Sequence, residues 1–193
     1  GGTFRLADLI EEAYSRARAR LSEAGLGATL DEAEFDRVAR MVANAAIRFA
    51  DLQNYRTTNY IFELDRFVSF EGKTGPYLLY QAVRIKSIMR KAAEQGLEAG
   101  EIAAGTREET ALIRRLDGFD AALTRAYELR APNHICDHAH ALAQAFSSFY
   151  AACPILPEKD EAVRASRLAL AETVLKQLEL TLSLIGLETA ERM

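Results

Sequence analysis

Apolar residues recur at helical spacing through most of the chain. Leu6, Leu9, Ile10, Ala13, Ala17 and Leu21 share one side of a stretch that predicts a helix over 6–24, ended by Gly25 and Gly27. A second predicted helix spans 31–51, with Asp31 as its N-cap and Phe35, Val38, Met41, Val42, Ala45, Ile47 and Phe49 as its apolar positions. Residues 54–70 are less regular but strongly apolar, through Tyr60, Ile61, Phe62, Leu64, Phe67 and Phe70. Pro76 opens a helix that continues to Gln95, and a glycine-containing break covers 96–105. Helices are expected over 107–116 and 119–129, and Pro132 opens another that reaches Ala152. Pro154 and Pro157 punctuate before a last helix over 158–185, ended by Gly186. Its Leu168, Ala171, Leu175, Leu178, Leu182 and Ile185 step by three and four, a seam for packing on other helices. An all-α bundle is the predicted fold from Pro76 onward.

Composition narrows the function classes. A chain of 193 residues, 49% hydrophobic and 27% charged, has room for a substantial core in one or two domains. No run approaches the ~18 apolar residues of a membrane span, and the start lacks the basic and apolar regions of a signal peptide. The expectation is a chain with no membrane role, located in the cytoplasm, with Cys136 and Cys153 as reduced thiols. The formal net charge of −4 argues against general nucleic-acid affinity, so any RNA contact must be local and shaped.

The stretch with most chemistry is SFEGKTGPYLLYQAVRIKSI, Ser69 to Ile88. A glycine-flanked loop, Glu71 to Gly75, runs through Pro76 into a helix. At about 100° per residue, Tyr77, Tyr80, Arg84, Ser87 and Lys91 fall in a sector of roughly 80°. Leu78, Leu79, Ala82, Val83, Ile85, Met89 and Ala92 point elsewhere, as a core face, and Lys86 interrupts the apolar side and is expected to snorkel. One reading is an amphipathic helix with half-buried tyrosines and a solvated cationic edge. The other is a surface where aromatic rings stack on unpaired bases and Arg84 and Lys91 take phosphates.

Three spaced segments resemble the class I arginyl-tRNA synthetases. FADLQNYRTTNYIFELDRFVSFEGKTGPYLLYQAVRIKSI, Phe49 to Ile88, is similar to the passage from that family's catalytic half into its anticodon-binding bundle. LAQAFSSFYAACPIL, Leu142 to Leu156, resembles a later helix with a Phe-x-x-Phe-Tyr ending. Arg167-Leu168, Ile185-Gly186-Leu187 and the closing Met193 fit the terminal pattern. GGTFRLADLIEEA, Gly1 to Ala13, looks like the segment after the family's Lys-Met-Ser-Lys-type loop. That loop and the His-Ile-Gly-His-type motif are not in this sequence.

The resemblance implies an all-α bundle of the anticodon-binding type over 71–193, with a helical remnant of the catalytic half and a junction over 1–70. It implies recognition of arginine tRNAs by the C-terminal part of an arginine–tRNA ligase. The partners would be tRNA and the missing catalytic half, and the bundle would be a monomer. ATP with Mg would serve the full enzyme. This part would bind no cofactor or metal, hold no catalytic residue and be inactive alone. Residue by residue, the resemblance places Tyr77, Tyr80, Arg84 and Lys91 on the anticodon-facing helix. Phe146 and Tyr150 belong to the Phe-x-x-Phe-Tyr run, where the tyrosine lines the pocket for the middle anticodon base, a cytosine. Met193 matches a terminal methionine beside that pocket. Asn59 and Glu63 stand where the family usually has aspartates, Lys73 and Leu79 replace a frequent Asn and Gln, and His138 stands where many members carry an aromatic.

Other clusters carry less. His134, Cys136, His138 and His140 crowd seven residues, but two fall on each helical face and no second cluster completes a tetrahedral zinc site. Neither cysteine has an activating environment in sequence. Glu11-Glu12 and Glu108-Glu109 read as solvated helix faces, and Glu71 to Gly75 lacks the spacer of a P-loop. From a different class, the chain could instead be a protein-interaction bundle that docks a partner through the apolar segment 60–70.

Overall fold

The computed structural model describes residues 5–193. Gly1 to Phe4, the opening of the segment resembling the region after the Lys-Met-Ser-Lys-type loop, lie outside the described residues. Among the described residues there are eight helices and no strand. They are α1 (Leu6–Glu23), α2 (Glu32–Leu52), the single turn α3 (Leu64–Phe67), α4 (Gly75–Glu94), α5 (Arg107–Asp117), α6 (Phe119–Leu129), α7 (Asn133–Ala152) and α8 (Glu161–Leu184).

Sequence punctuation sets most boundaries. Asp31 caps α2 by accepting from the Glu34 amide at 2.8 Å. Gly25 and Gly186, at φ 66° and 71°, supply the left-handed turns that stop α1 and α8. The start of α8 is three residues later than expected. The carboxylate of Asp160 accepts from the amides of Ala162 and Val163, so the cap lies there. Glu158 is instead drawn into an ion pair with Arg167.

One core runs through the molecule. It takes Ala13, Ala17 and Leu21 from α1, Phe49 from α2, Leu78, Leu79 and Ile85 from α4, Phe146 and Phe149 from α7, and Leu168 and Leu178 from α8. The α8 seam is spent inside the bundle, since Leu168, Ala171, Leu178 and Leu182 are all buried. The α1 pattern is only half right. Leu6 and Ile10 are 66% and 45% exposed and line a 600 Å³ apolar groove with Ile47, Tyr60 and Phe62. In the irregular segment Leu64 and Phe67 are buried while Ile61 is 80% exposed.

Two contacts position α4. Gly75 lies so close to α2 that a Cβ there would sit 2.1 Å from the Ala45 carbonyl oxygen. Lys86 does not snorkel. It is largely buried and pairs with Glu179 at 2.8 Å and Glu191 at 2.6 Å, tying α4 to α8 and to the terminal segment.

Candidate nucleic-acid interface

The loop ahead of α4 is held from both ends. The Thr74 hydroxyl donates to the Ser69 carbonyl at 2.6 Å and accepts from the Tyr77 amide at 3.2 Å, so one side chain closes the loop and caps the helix. Gly72, at φ 75°, makes the turn. Lys73 reaches Asp137 of α7 at 2.6 Å. The first turn of α4 is therefore fixed against α2 and α7 before any ligand arrives.

The side chains on this stripe meet different neighbours. Tyr77 is half-buried, with its ring 5.8 Å from that of His140 on α7. Burial pushes the Tyr77 phenol up from its usual range and the His140 imidazole down. Tyr80 is half-buried and meets Phe70 edge-on at 6.5 Å. Arg84, one helical turn on, lies over the Tyr150 ring at 4.3 Å. Tyr150 in turn stacks on Phe146, at 6.0 Å and 22° between planes. Guanidinium, phenol and phenyl thus form a three-tier pile across α4 and α7. Lys91 is exposed on the same side of α4.

The pile corrects two expectations. Phe146 is 0% exposed and offers no contact surface; it is the floor beneath Tyr150. Tyr150 is covered by Arg84, so the plane above the pile belongs to the guanidinium. Met193 is packed partly into the core. Its neighbour Arg192 pairs with Glu34 of α2 at 3.1 Å. Lys86, which holds Glu191, leaves α4 about 160° around the axis from Arg84. The ion pairs of the terminal segment run to α2 and α4, and none runs to the Arg84–Tyr150 pile.

His138 and His140 are used in packing. His138 is buried, with its Nε2 3.1 Å from Gln177 Oε1 and its ring beside Phe119. Burial drives the Cys136 thiol up to about 12, which leaves it inert. One part of the site was missed in sequence. Between α5 and α7 lies a 710 Å³ groove with Tyr77 at its edge, lined by Arg107, Arg115, Gln144, Ser147 and Ser148. The spacing Arg107-Ala111-Arg115, four apart, was the available signal.

Comparison with known proteins decides the family. The DALR anticodon binding domain matches residues 78–193. The chain belongs to that family. Residues 1–64 match the catalytic domain of the class I (R) tRNA synthetases, so the DALR segment follows a piece of a second family. The arginine–tRNA ligase of Maricaulis maris is 66% identical over the whole chain, and that of Hyphomonas neptunium 56%. The chain spans 33% of the length of each of these relatives. Arginyl-tRNA synthetase of Thermus thermophilus superposes with a TM-score of 0.87 at 31% identity, over 100% of this chain and 33% of that one. The enzyme from Plasmodium falciparum shares the fold, with a TM-score of 0.83 at 23% identity over 98% of this chain and 34% of its own. The DALR match and these relatives support an anticodon-binding bundle. Nothing in them supports a bundle built to dock a protein through residues 60–70.

Proposed function

We propose that this chain recognises the anticodon of arginine tRNAs as the C-terminal part of an arginine–tRNA ligase. The observation that carries the reading is the pile of Arg84 on Tyr150 on Phe146, set beside Tyr77 at the fixed start of α4. A splayed base stacks on a guanidinium plane as well as on a ring, and a buried phenyl floor keeps the plane from giving way. The partly exposed Tyr77 and Tyr80 offer further stacking edges. Lys91 and the charge of Arg84 meet the loop phosphates. Met193, held by the Arg192–Glu34 tie, is assigned to the wall of the middle-base pocket.

The bundle proper is assigned to 71–193 and the preceding 1–70 to the end of the catalytic half. The whole ligase would attach arginine to tRNA at the expense of ATP, with Mg. Residues 1–193 hold neither signature motif for that step, and no residue of this chain is assigned to it. The proposed setting is the cytoplasm, and the proposed state a monomer, because the α8 seam is spent internally.

Titration of a fluorescent RNA hairpin bearing an arginine anticodon tests the reading. Wild type is expected to prefer it to the same stem with a scrambled loop, and Tyr150→Ala to lose most of that preference. Equal binding of both hairpins by wild type overturns the proposal.

A further inference from the structure

Nine cations of the described structure are engaged by carboxylates. Arg16, Arg18, Arg40, Lys86, Arg167 and Arg192 all sit in ion pairs. Along α5 and α6 no arginine is so paired. Arg107, Arg114, Arg115 and Arg125 are exposed, and none has a carboxylate within ion-pair distance among the described residues. The same helices carry four carboxylates that are likewise outside ion pairs, Glu108, Asp117, Asp120 and Glu128, but only Glu108 shares the grooves that the arginines line.

Their placement makes a continuous edge. Arg107 and Arg115 line the α5–α7 groove that ends at Tyr77. Arg114, Arg115 and Arg125 line the adjoining 380 Å³ hollow beside His134. From Arg107 to Arg115 the rail covers about 12 Å of helix, longer than the axial step between phosphates of one strand. The groove walls add Gln144, Ser147 and Ser148, neutral hydrogen-bonding groups suited to phosphate oxygens. Two carboxylates adjoin this surface. Glu108 lines the groove, against two arginines, and Asp137 lines the hollow but is neutralised by Lys73 at 2.6 Å.

We infer that the α5–α6 arginine rail grips the sugar–phosphate backbone of the RNA stem next to the loop read at Tyr77 and Tyr150. The inference rests on the anticodon reading and adds a division of labour. The pile reads the loop, whereas the rail is indifferent to sequence and sets the register of the stem. Backbone contacts of this kind release counterions, so they show in the salt dependence of binding.

The test uses two RNA hairpins with one stem, an arginine-anticodon loop or a scrambled loop, titrated at several salt concentrations. The variant R107Q/R114Q/R115Q is expected to weaken both hairpins by the same factor, roughly tenfold at low salt. It should also flatten the slope of log K against log salt by about 2, at ~0.7–0.9 per lost phosphate contact. Arg37→Gln, an exposed and unpaired cation on α2, is expected to leave the slope unchanged. All three rail positions are exposed, so circular dichroism should match wild type. An unchanged slope in the triple variant overturns the rail, as does an equal loss from Arg37→Gln. So does polyglutamate that needs these arginines when RNA does not. Absence of loop preference in wild type overturns the anticodon reading, while the slope still judges the rail.

Discussion

At the scale of single residues, chemistry that depends on neighbours in sequence was legible and chemistry that depends on neighbours in space was not. The stripe of Tyr77, Tyr80, Arg84 and Lys91 follows from helical geometry alone. That Arg84 would cover Tyr150 does not, because the two are on different helices and nothing local fixes how α4 and α7 face each other. For the same reason Phe146 looked like a contact residue and is a floor. Two substitutions separate these roles. Tyr150→Ala removes the support beneath the Arg84 guanidinium and should cost loop binding about 1–3 kcal/mol, the worth of the base stacked on that plane. Arg84→Lys keeps the charge and removes the plane, so it should lose loop preference while nearly keeping its salt slope, as read in the hairpin titration.

A second residue cluster supports the fold rather than the site. Arg167 donates from Nε to Glu109 at 2.7 Å and from Nη1 to the Pro154 carbonyl and Glu158, each at 2.7 Å. Glu109 also accepts from the amides of Gly105 and Thr106, closing a capping box at the start of α5. Burial raises the Glu109 carboxyl, but Arg167 and the two amides outweigh it and hold it below the usual glutamate range. Arg167→Met should destabilise the chain by about 3–5 kcal/mol, because a buried carboxylate loses its partner; a urea midpoint measures it. The sign with pH follows from the depressed native value. The stabilisation is complete above roughly pH 4.3, the ordinary glutamate value, and is lost as pH falls through the lowered one. Urea midpoints from neutral to acid pH should therefore fall less steeply for Glu109→Gln than for wild type.

At the scale of elements, glycine and proline made the boundaries readable, since they act through their own backbone. The expected and observed limits of α6 coincide, Phe119 to Leu129, although Arg130 and not a glycine takes the left-handed cap. Where a side chain decides, the reading slipped: the Asp160 cap moved the start of α8 past Glu158. The exposure of Leu6 and Ile10 is a different failure. Periodicity reports that a face is apolar, not what covers it. The α2–α4 contact was equally invisible, because it depends on the absence of a side chain. Gly75→Ala would force a methyl group into the Ala45 carbonyl and should cost about 1–3 kcal/mol, seen as a lower melting temperature with the helix content intact.

At the scale of the whole molecule, net charge was a poor guide to the surface. The chain is acidic, yet many of its carboxylates are spent on ion pairs that hold helices together, including Glu179 and Glu191 on Lys86 and Glu34 on Arg192. On α5 and α6 the free arginines gather along the grooves, where Glu108 is the one carboxylate of these two helices in the lining. A long-range field of one sign is thus absent, and association with RNA should depend on docking geometry more than on steering. The expected signature is an association rate that changes little with salt while the dissociation rate rises, measurable by stopped-flow with the arginine hairpin.

Ala45 belongs to the stretch matched by the catalytic-domain family, and Gly75 stands three residues ahead of the DALR match. Between them is no soft filling, only one main chain against another. Close approach at that point leaves no side chain at Gly75 to turn aside. The seam between two families includes a close backbone contact, so a tilt of α4 is expected to be felt at α2.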